Sequence, residues 1–396
     1  MTLAAMKEAV SAAVDAASDK LTAVADEIWA NPEVGFKEYQ AYKLLTGWAK
    51  ELGFEVEAGY GGAETAFIAK KKLGAGGPMV GLMCEYDCVE GIGHACGHHM
   101  QPPVSFGAAI ALMSLPEPPD CVLAIVGTPA EENLEGGKNV MYKNGAFREL
   151  DFVIGFHADT KTRTPMSSLA LTEFDVTYHG VASHPVTAPD KGINALESVL
   201  LLFQALTFLR QHVKVTVNYI GLETGISVNL IPDTASARVE LRAPERPAIE
   251  AALPRVMNCV EAAAKAVGTT FEVRRTCDMY DQAPSLLLSK SLMKNAELYG
   301  AKKLSEETGP SGSTDFATVT RLVPGATIQL PFFDGDEHAH TKKWLEEGNS
   351  AGAHEAVCLG AKITAATVLD VLTGCIPLAA LKQEFADTQM RTGIVL

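Results

Sequence analysis

Three runs of the chain constrain its fold more than anything else in it: MVGLMCEYD (79–87), CVLAIVGTPAEEN (121–133) and DFVIGFHAD (151–159). Each is almost wholly apolar and then ends in acidic residues or histidine. Such runs read as strands covered on both faces, the situation in parallel sheets flanked by helices. Because each strand delivers Asp, Glu or His at its C-terminal end, the polar groups collect along one edge of an open α/β sheet, where sites of such sheets form.

The surrounding segments fit that layout. Apolar residues recur every three or four positions over 2–30 (Leu3, Met6, Val10, Val14, Leu21, Val24, Ile28, Trp29) and again over 38–52, which predicts two amphipathic helices. FEVEAGY and TAFIAKK are short β-rich runs, and an apolar helix is expected near 104–113. From about Ser168 the texture changes: LALTEFDVTYHG alternates like a half-exposed strand, a helix follows over 193–209, then KVTVNYI, TASARVELRA, a helix over 249–267 and TFEVRRT. That β-α-β-β-α-β order matches the split βαβ sandwich. At 396 residues the chain exceeds what one core usually holds. The expected organisation is an α/β catalytic domain built from 1–167 and 279–396, with a central mostly parallel sheet, and an inserted α+β ferredoxin-like domain over 168–278. The first domain resumes near Ala283 and closes with a long helix over 353–372.

Composition narrows the function classes. Apolar residues make up 47% of the chain and aromatic ones 7%, the usage of a compact α/β protein. The formal net charge is −15 and no basic run stands out, which argues against nucleic acid and anionic membranes as partners. No apolar run reaches the length of a membrane span, and Lys7, Glu8, Asp15, Asp19 and Lys20 break up the alanine-rich start where an export signal would stand. The eight cysteines lack the spacing of a disulfide framework, so a reducing cytoplasm is the expected compartment.

The chemistry concentrates in GHACGHHM (93–100), one cysteine and three histidines within six positions of a chain with ten histidines in all. A borderline-soft divalent ion takes thiolate, imidazole and carboxylate ligands, and Cys96 and His98 can converge because Gly97 lets the backbone turn between them. Alone, a C-x-H pair reads equally as a buried free cysteine beside a loop histidine. Its neighbours add weight: Glu131 and Glu132 follow one buried strand, His157 ends the next and Asp87 the one before. Adjacent glutamates at a strand end point in different directions, so one can bind metal while the other stays free. A free carboxylate beside a metal-activated water is what general-base hydrolysis requires.

Taken together, EYDCVEGIGHACGHH, GTPAEEN, GFHADT, GVASHP, SVNLIPD and GPSGSTDFA resemble, in order and spacing, the aminoacylase and carboxypeptidase family of co-catalytic metallopeptidases. The amidohydrolase branch, with aminobenzoyl-glutamate hydrolases, peptidase-like dipeptide hydrolases and auxin-conjugate hydrolases, is the most similar part of it. The resemblance implies that Cys96, His98, Glu132 and His157 are metal ligands and Glu131 is the general base. It implies a last histidine ligand just before the C-terminal helix; EHAHTKKW offers His338 and His340, and His340 matches better. It gives His94 a structural or supporting place. It implies that His184 reaches across a dimer interface to polarise the scissile carbonyl, that Asn229 and Arg242 hold the substrate's carboxylate or oxyanion, and that Ser313 and Asp315 line the pocket floor.

The expected function is amide hydrolysis of a small N-acyl amino acid, an aminobenzoyl-glutamate-like conjugate or a dipeptide, at two divalent ions about 3.5–4 Å apart. Zinc suits the donors best, with manganese, cobalt or nickel as alternatives. A homodimer through the inserted domain is the expected assembly. Two departures from the branch stand out, His99 where relatives carry Asn or Asp, and Cys88 after Asp87. His99 motivates a rival reading, an aminohydrolase displacing an amine from an aromatic or amidine substrate. A non-catalytic binding protein is the second rival, and its hallmark, loss of the base or of a ligand, is absent from the sequence.

Overall fold

Helix α1 (Leu3–Ala30) begins where the Thr2 hydroxyl oxygen accepts the Ala5 N–H at 3.3 Å, satisfying an N–H that the first turn leaves unpaired. Its buried residues, Val10, Val14, Leu21, Val24 and Ile28, form the stripe that their spacing dictates. The protein is seen here as a computed structural model that describes residues 1–306, 312–394 and 396. The chain divides into two compact units, Met1–Ser167 with Gln282–Leu396, and Ser168–Asp281.

In the first unit, α1 and α2 (Tyr39–Glu51) precede the antiparallel strands β1 (Glu55–Ala58) and β2 (Phe67–Leu73) and then β3 (Met79–Glu85). Helix α3 (Gln101–Met113), β4 (Cys121–Thr128), the short α4 (Gly137–Lys143) and β5 (Phe152–Asp159) follow. In the second unit come β6 (Ala170–His179), α5 (Ala195–Leu209), β7 (Thr216–Glu223), β8 (Thr234–Ala243), α6 (Arg246–Val267) and β9 (Thr270–Met279). The chain returns to the first unit with α7 (Leu286–Leu298), α8 (Phe316–Thr320), β10 (Gly325–Pro331), α9 (Lys342–Glu347), α10 (Ala351–Leu372) and α11 (Leu378–Thr392).

The sheet of the first unit runs β1-β2-β4-β3-β5-β10. Strands β4, β3, β5 and β10 are parallel, while β2 joins β4 antiparallel and carries β1 at the edge. Every residue of β4 except Val122 is buried, as a strand covered on both faces must be. Helices α1, α3 and α10 pack as one layer, and Trp48 of α2 stacks on Phe106 of α3 at 4.3 Å between ring centroids. Each large apolar side chain buried in this way contributes roughly 1.5–3 kcal/mol. The parallel strands end together, which places Asp87, Glu131, Glu132 and His157 along a single edge. The long helix over 353–372 is present as α10, but it does not close the chain, because α11 follows it. The latter escapes a reading by apolar periodicity, since Leu381 is its sole buried residue.

The second unit is an antiparallel sheet in the order β7-β8-β6-β9 with α5 and α6 against one face. Alternation sorts the strands cleanly. Phe174, Val176 and Tyr178 of β6, and Val239 and Leu241 of β8, face the helices in a separate core. Glu173, Asp175, Arg238, Glu240 and Arg242 occupy the other face. Among the described residues no helix is long and apolar enough to cross a membrane.

Candidate metal centre

The turn that opens the site is set by Gly97, at φ 87°, where an added Cβ would lie 2.5 Å from the Ala158 Cβ. Only glycine combines that left-handed backbone with so close an approach. The turn carries Cys96 and His98 on either side of it, against the end of β5. His98 is fully buried, and its Nδ1 lies 3.1 Å from Asp87 Oδ1 and 3.2 Å from the Asp87 carbonyl oxygen. Both partners are acceptors, so Nδ1 carries a proton; burial opposes charge on this ring, but Cys96 and Asp87 beside it hold its pKa well above the ordinary imidazole value, and Nε2 is the nitrogen left to meet a cation once its proton is displaced. His157 is set in the same sense, its Nδ1 donating to the Ala158 carbonyl at 2.7 Å while Nε2 faces Cys96 Sγ at 3.6 Å. Both imidazoles thus aim Nε2 inward.

Among the described residues three triples of donor atoms lie within 4.8 Å of one another: Cys96, His98 and His157; Cys96, Glu132 and His340; and His98, Glu131 and Glu132. The structure therefore brings together Cys96, His98, Glu132, His157, His340 and Glu131. His340 Nε2 stands 3.2 Å from Glu132 Oε1. The backbone at His340 is left-handed, φ 67°, and its N–H bonds the Ala95 carbonyl at 2.8 Å, which returns this loop to the Cys96 turn. His338 is exposed and belongs to none of the triples; its carbonyl accepts the Thr341 hydroxyl at 3.0 Å.

Electrostatics separates the two adjacent glutamates. Burial, with Glu85 and Asp315 nearby, holds the Glu131 carboxyl well above the usual range. Burial acts on Glu132 as well, but contact with His340 and the charge of His98 bring it down to about 2. Burial pushes the Cys96 thiol up, and only a cation or a charged imidazole beside it favours the thiolate. Glu131 Oε2 lies 3.9 Å from His98 Nε2, beyond hydrogen-bonding range.

His99 is buried with Nε2 2.7 Å from the Gly348 carbonyl, and its ring lies 5.2 Å from that of buried His94. Neither joins the triples, so the extra imidazole that motivated the aminohydrolase reading is not among the candidate ligands. Cys88 is buried, and burial lifts its thiol to about 11. Asp315 is fully buried and tied by Oδ1 to Lys138 Nζ at 2.5 Å. Ser313 is partly exposed, and Gly309, Pro310 and Ser311 of its segment lie outside the described residues.

In the second unit His184 is exposed, its Nδ1 accepting the Val186 and Thr187 N–H groups at 3.2 Å each. The neutral ring therefore carries its proton on Nε2, ready to donate outward. Asn229 is also exposed, and its Oδ1 accepts the Ser227 hydroxyl at 2.5 Å, which directs the amide NH2 elsewhere as a donor. Arg242 bonds Glu240 at 2.8 Å.

Two buried groups near the centre carry no sequence signal. Lys138, fully buried, bridges Glu85 at 2.7 Å and Asp315, while Gln101 donates to Glu85 at 2.6 Å. Glu38, also fully buried, is pushed by burial up to about 7. Their partners are remote in the chain, which no local pattern reveals.

Known proteins resemble this chain in sequence and in fold. Residues 170–268 match the family described as a peptidase dimerisation domain. The chain is 33% identical to the Xaa-Arg dipeptidase of Homo sapiens, over 94% of this chain and 90% of that protein. It is 27% identical to one of the polypeptides of the p-aminobenzoyl-glutamate hydrolase of Escherichia coli strain K12, over 95% of each. Its fold is similar to that of a dinuclear metal-binding peptidase of the M20 family from Bacillus subtilis, with a TM-score of 0.69 and 19% identity over 91% of this chain and 99% of that one. On this evidence the chain belongs to the M20 family of metal-dependent peptidases and amidohydrolases, enzymes that hydrolyse C–N bonds.

Proposed function

We propose that this chain hydrolyses the amide bond of dipeptides and small N-acyl amino acids at a two-metal centre held by Cys96, His98, Glu132, His157 and His340. One observation carries the reading: within this gathering, His98 Nε2 and Glu132 Oε1 are buried without a hydrogen-bond partner. Glu85 Oε2 and His340 Nε2 approach them to 3.3 and 3.2 Å, but without hydrogen-bonding alignment. A purely structural cluster satisfies its buried polar atoms, so orphaned ones that converge with a thiol and two imidazoles fit cations instead. Thiol and imidazole donors favour zinc.

When bound, the cations polarise the substrate carbonyl and acidify a water. Glu131, close to the ligands yet unclaimed by them, takes the proton from that water and returns it to the leaving amine. His184, reaching across the dimer interface, donates from Nε2 to the carbonyl oxygen, and Asn229 and Arg242 hold the substrate's carboxylate or the developing oxyanion. Ser313 contributes a hydroxyl to substrate binding. The pairing of Arg242 with Glu240 favours a leaving amino acid with a cationic side chain over one with a second carboxylate. The named substrate of the human relative, an Xaa-Arg dipeptide, has that character.

A homodimer through the second unit supports the same reading, since Leu200, Leu201 and Phe208 of α5 and Ile220 and Leu222 of β7 expose apolar surface within or beside the matched dimerisation segment. All eight cysteines are unpaired, which fits a reducing cytoplasm. The decisive experiment is a metal-supplemented hydrolysis screen read by mass spectrometry, with Glu131→Gln alongside. Release of a free amino acid from dipeptides, lost in that variant, is the expected result; ammonia released without a carboxylic acid would refute amide hydrolysis.

A further inference from the structure

Glu38 precedes α2, is fully buried, and holds three donors from separate parts of the first unit. Its Oε1 accepts the Phe36 N–H at 3.0 Å and the Ala130 N–H at 2.9 Å, and its Oε2 accepts the Thr65 hydroxyl at 2.7 Å. Phe36 and Ala130 both have left-handed backbone, φ 63° and 58°. Residues with a Cβ enter that region only when their surroundings over-determine it. Here the Glu38 carboxyl does so for both.

Gly35 completes the fit, because a Cβ on it would lie 2.6 Å from Asn133 Nδ2 and 2.8 Å from the Ala130 Cβ. The segments 33–38 and 130–133 thus meet at the closest approach that backbone allows. Beyond Ala130, its carbonyl accepts the Gly137 N–H at 3.0 Å, and the Glu132 N–H donates to Asp87 Oδ2 at 2.9 Å. Glu131 stands between two clamped neighbours, and the clamp on its N-terminal side is Glu38.

We propose that Glu38 is a positioning residue for Glu131: by fixing the strained Ala130 peptide it aims the Glu131 carboxylate at the water it deprotonates. This rests on the reading of Glu131 as general base. A positional error near 1 Å at a reacting group lowers turnover by about 10²-fold, so Glu38→Ala is expected to lose ~30- to 100-fold in kcat with KM and bound metal within about threefold of wild type. Glu38→Gln keeps an acceptor for both N–H groups and a donor for the Thr65 oxygen, and retains kcat within about threefold.

The test is a double-mutant cycle on the metal-loaded enzyme with a dipeptide substrate, following kcat, KM, metal content and melting temperature for Glu38→Ala, Glu38→Gln, Glu131→Gln and Glu38→Ala/Glu131→Gln. If Glu38 acts through Glu131, adding Glu38→Ala to Glu131→Gln lowers the residual rate less than about twofold. A full additional loss in the double variant, or unchanged kcat in a folded Glu38→Ala enzyme, overturns the positioning role and leaves Glu131 as base. Wild-type turnover in Glu131→Gln overturns both. Should Glu38→Ala not fold, Thr65→Val, which removes one anchor of the carboxyl, takes its place with an expected kcat loss of ~3- to 10-fold; no loss there refutes the proposal.

Discussion

The two units differ in how far their charged pairs are withdrawn from water. In the first, Lys138, Asp315, Glu38, Asp87 and His98 are fully buried, and all but His98, whose bonded partner Asp87 lies 11 positions away, are held by bonds to residues far away in the chain. In the second, Asp175 and Arg246 are buried as well, but the arginines that pair with Asp175 and Glu240 on the polar sheet face are 29–74% exposed. A buried pair that loses one partner costs roughly 3–5 kcal/mol, whereas an exposed pair contributes at most about 1 kcal/mol. The first arrangement holds atoms to fixed places. The second leaves the arginine ends of its pairs open to solvent. Glu173 directly opposite Glu240 across β6 and β8 sharpens the point, since facing like charges weaken a sheet and here persist on its polar face.

This contrast can be broken by measurement. Glu131→Gln carries the largest expected effect, a fall in kcat of about 10³-fold or more with both metals retained by elemental analysis; loss of metal instead would make Glu131 a ligand. His184→Ala follows, with about 10²-fold lost in kcat while metal content and melting temperature hold, the signature of one missing donor to the carbonyl oxygen. Next is the pH dependence of stability. Burial raises the Glu38 carboxyl from 4.5 to about 7, so the folded protein binds more protons than the unfolded chain between those values. The stability this adds is complete below pH 4.5 and disappears as pH rises through 7, up to about 3 kcal/mol. Glu38→Gln removes that slope, and denaturant titrations at pH 5 and 8 would expose a failure by showing parallel profiles. The smallest effect is expected at the exposed pair: Glu240→Gln lowers kcat/KM for a dipeptide ending in Arg about tenfold relative to one ending in Ala, and an unaltered ratio would remove Glu240 from substrate selection.

What the sequence revealed follows the same division between local and distant. β4 was legible because burial on both faces writes an unbroken apolar run, and the second unit because its strands alternate with period two. The antiparallel start of the sheet was not, since FEVEAGY and TAFIAKK say nothing of which neighbour they pair with. GATIQLP, the edge strand β10, is too short and too mixed to stand out. Within the site, Cys96, His98 and the adjacent glutamates lie in compact motifs that can be read directly. Between His338 and His340 the sequence favours His340 only by resemblance, and the left-handed backbone at 340 with its N–H on Ala95 is a long-range contact that no local pattern carries. Glu38 and Lys138 were invisible for the same reason. Glu38 meets Ala130 across 92 positions and Lys138 meets Asp315 across 177.

The insertion of the second unit between β5 and α7 bears on how the protein is made. Cys96, His98, Glu132 and His157 all precede residue 168, while β10 and His340 follow residue 281. During synthesis the ribosome therefore releases a whole self-contained antiparallel domain before the strand that closes the parallel sheet and the histidine that completes the donor set emerge. Domains that fold as units on the nascent chain leave the interrupted one waiting. The candidate donors of the first unit can therefore all meet only after the inserted domain has been made.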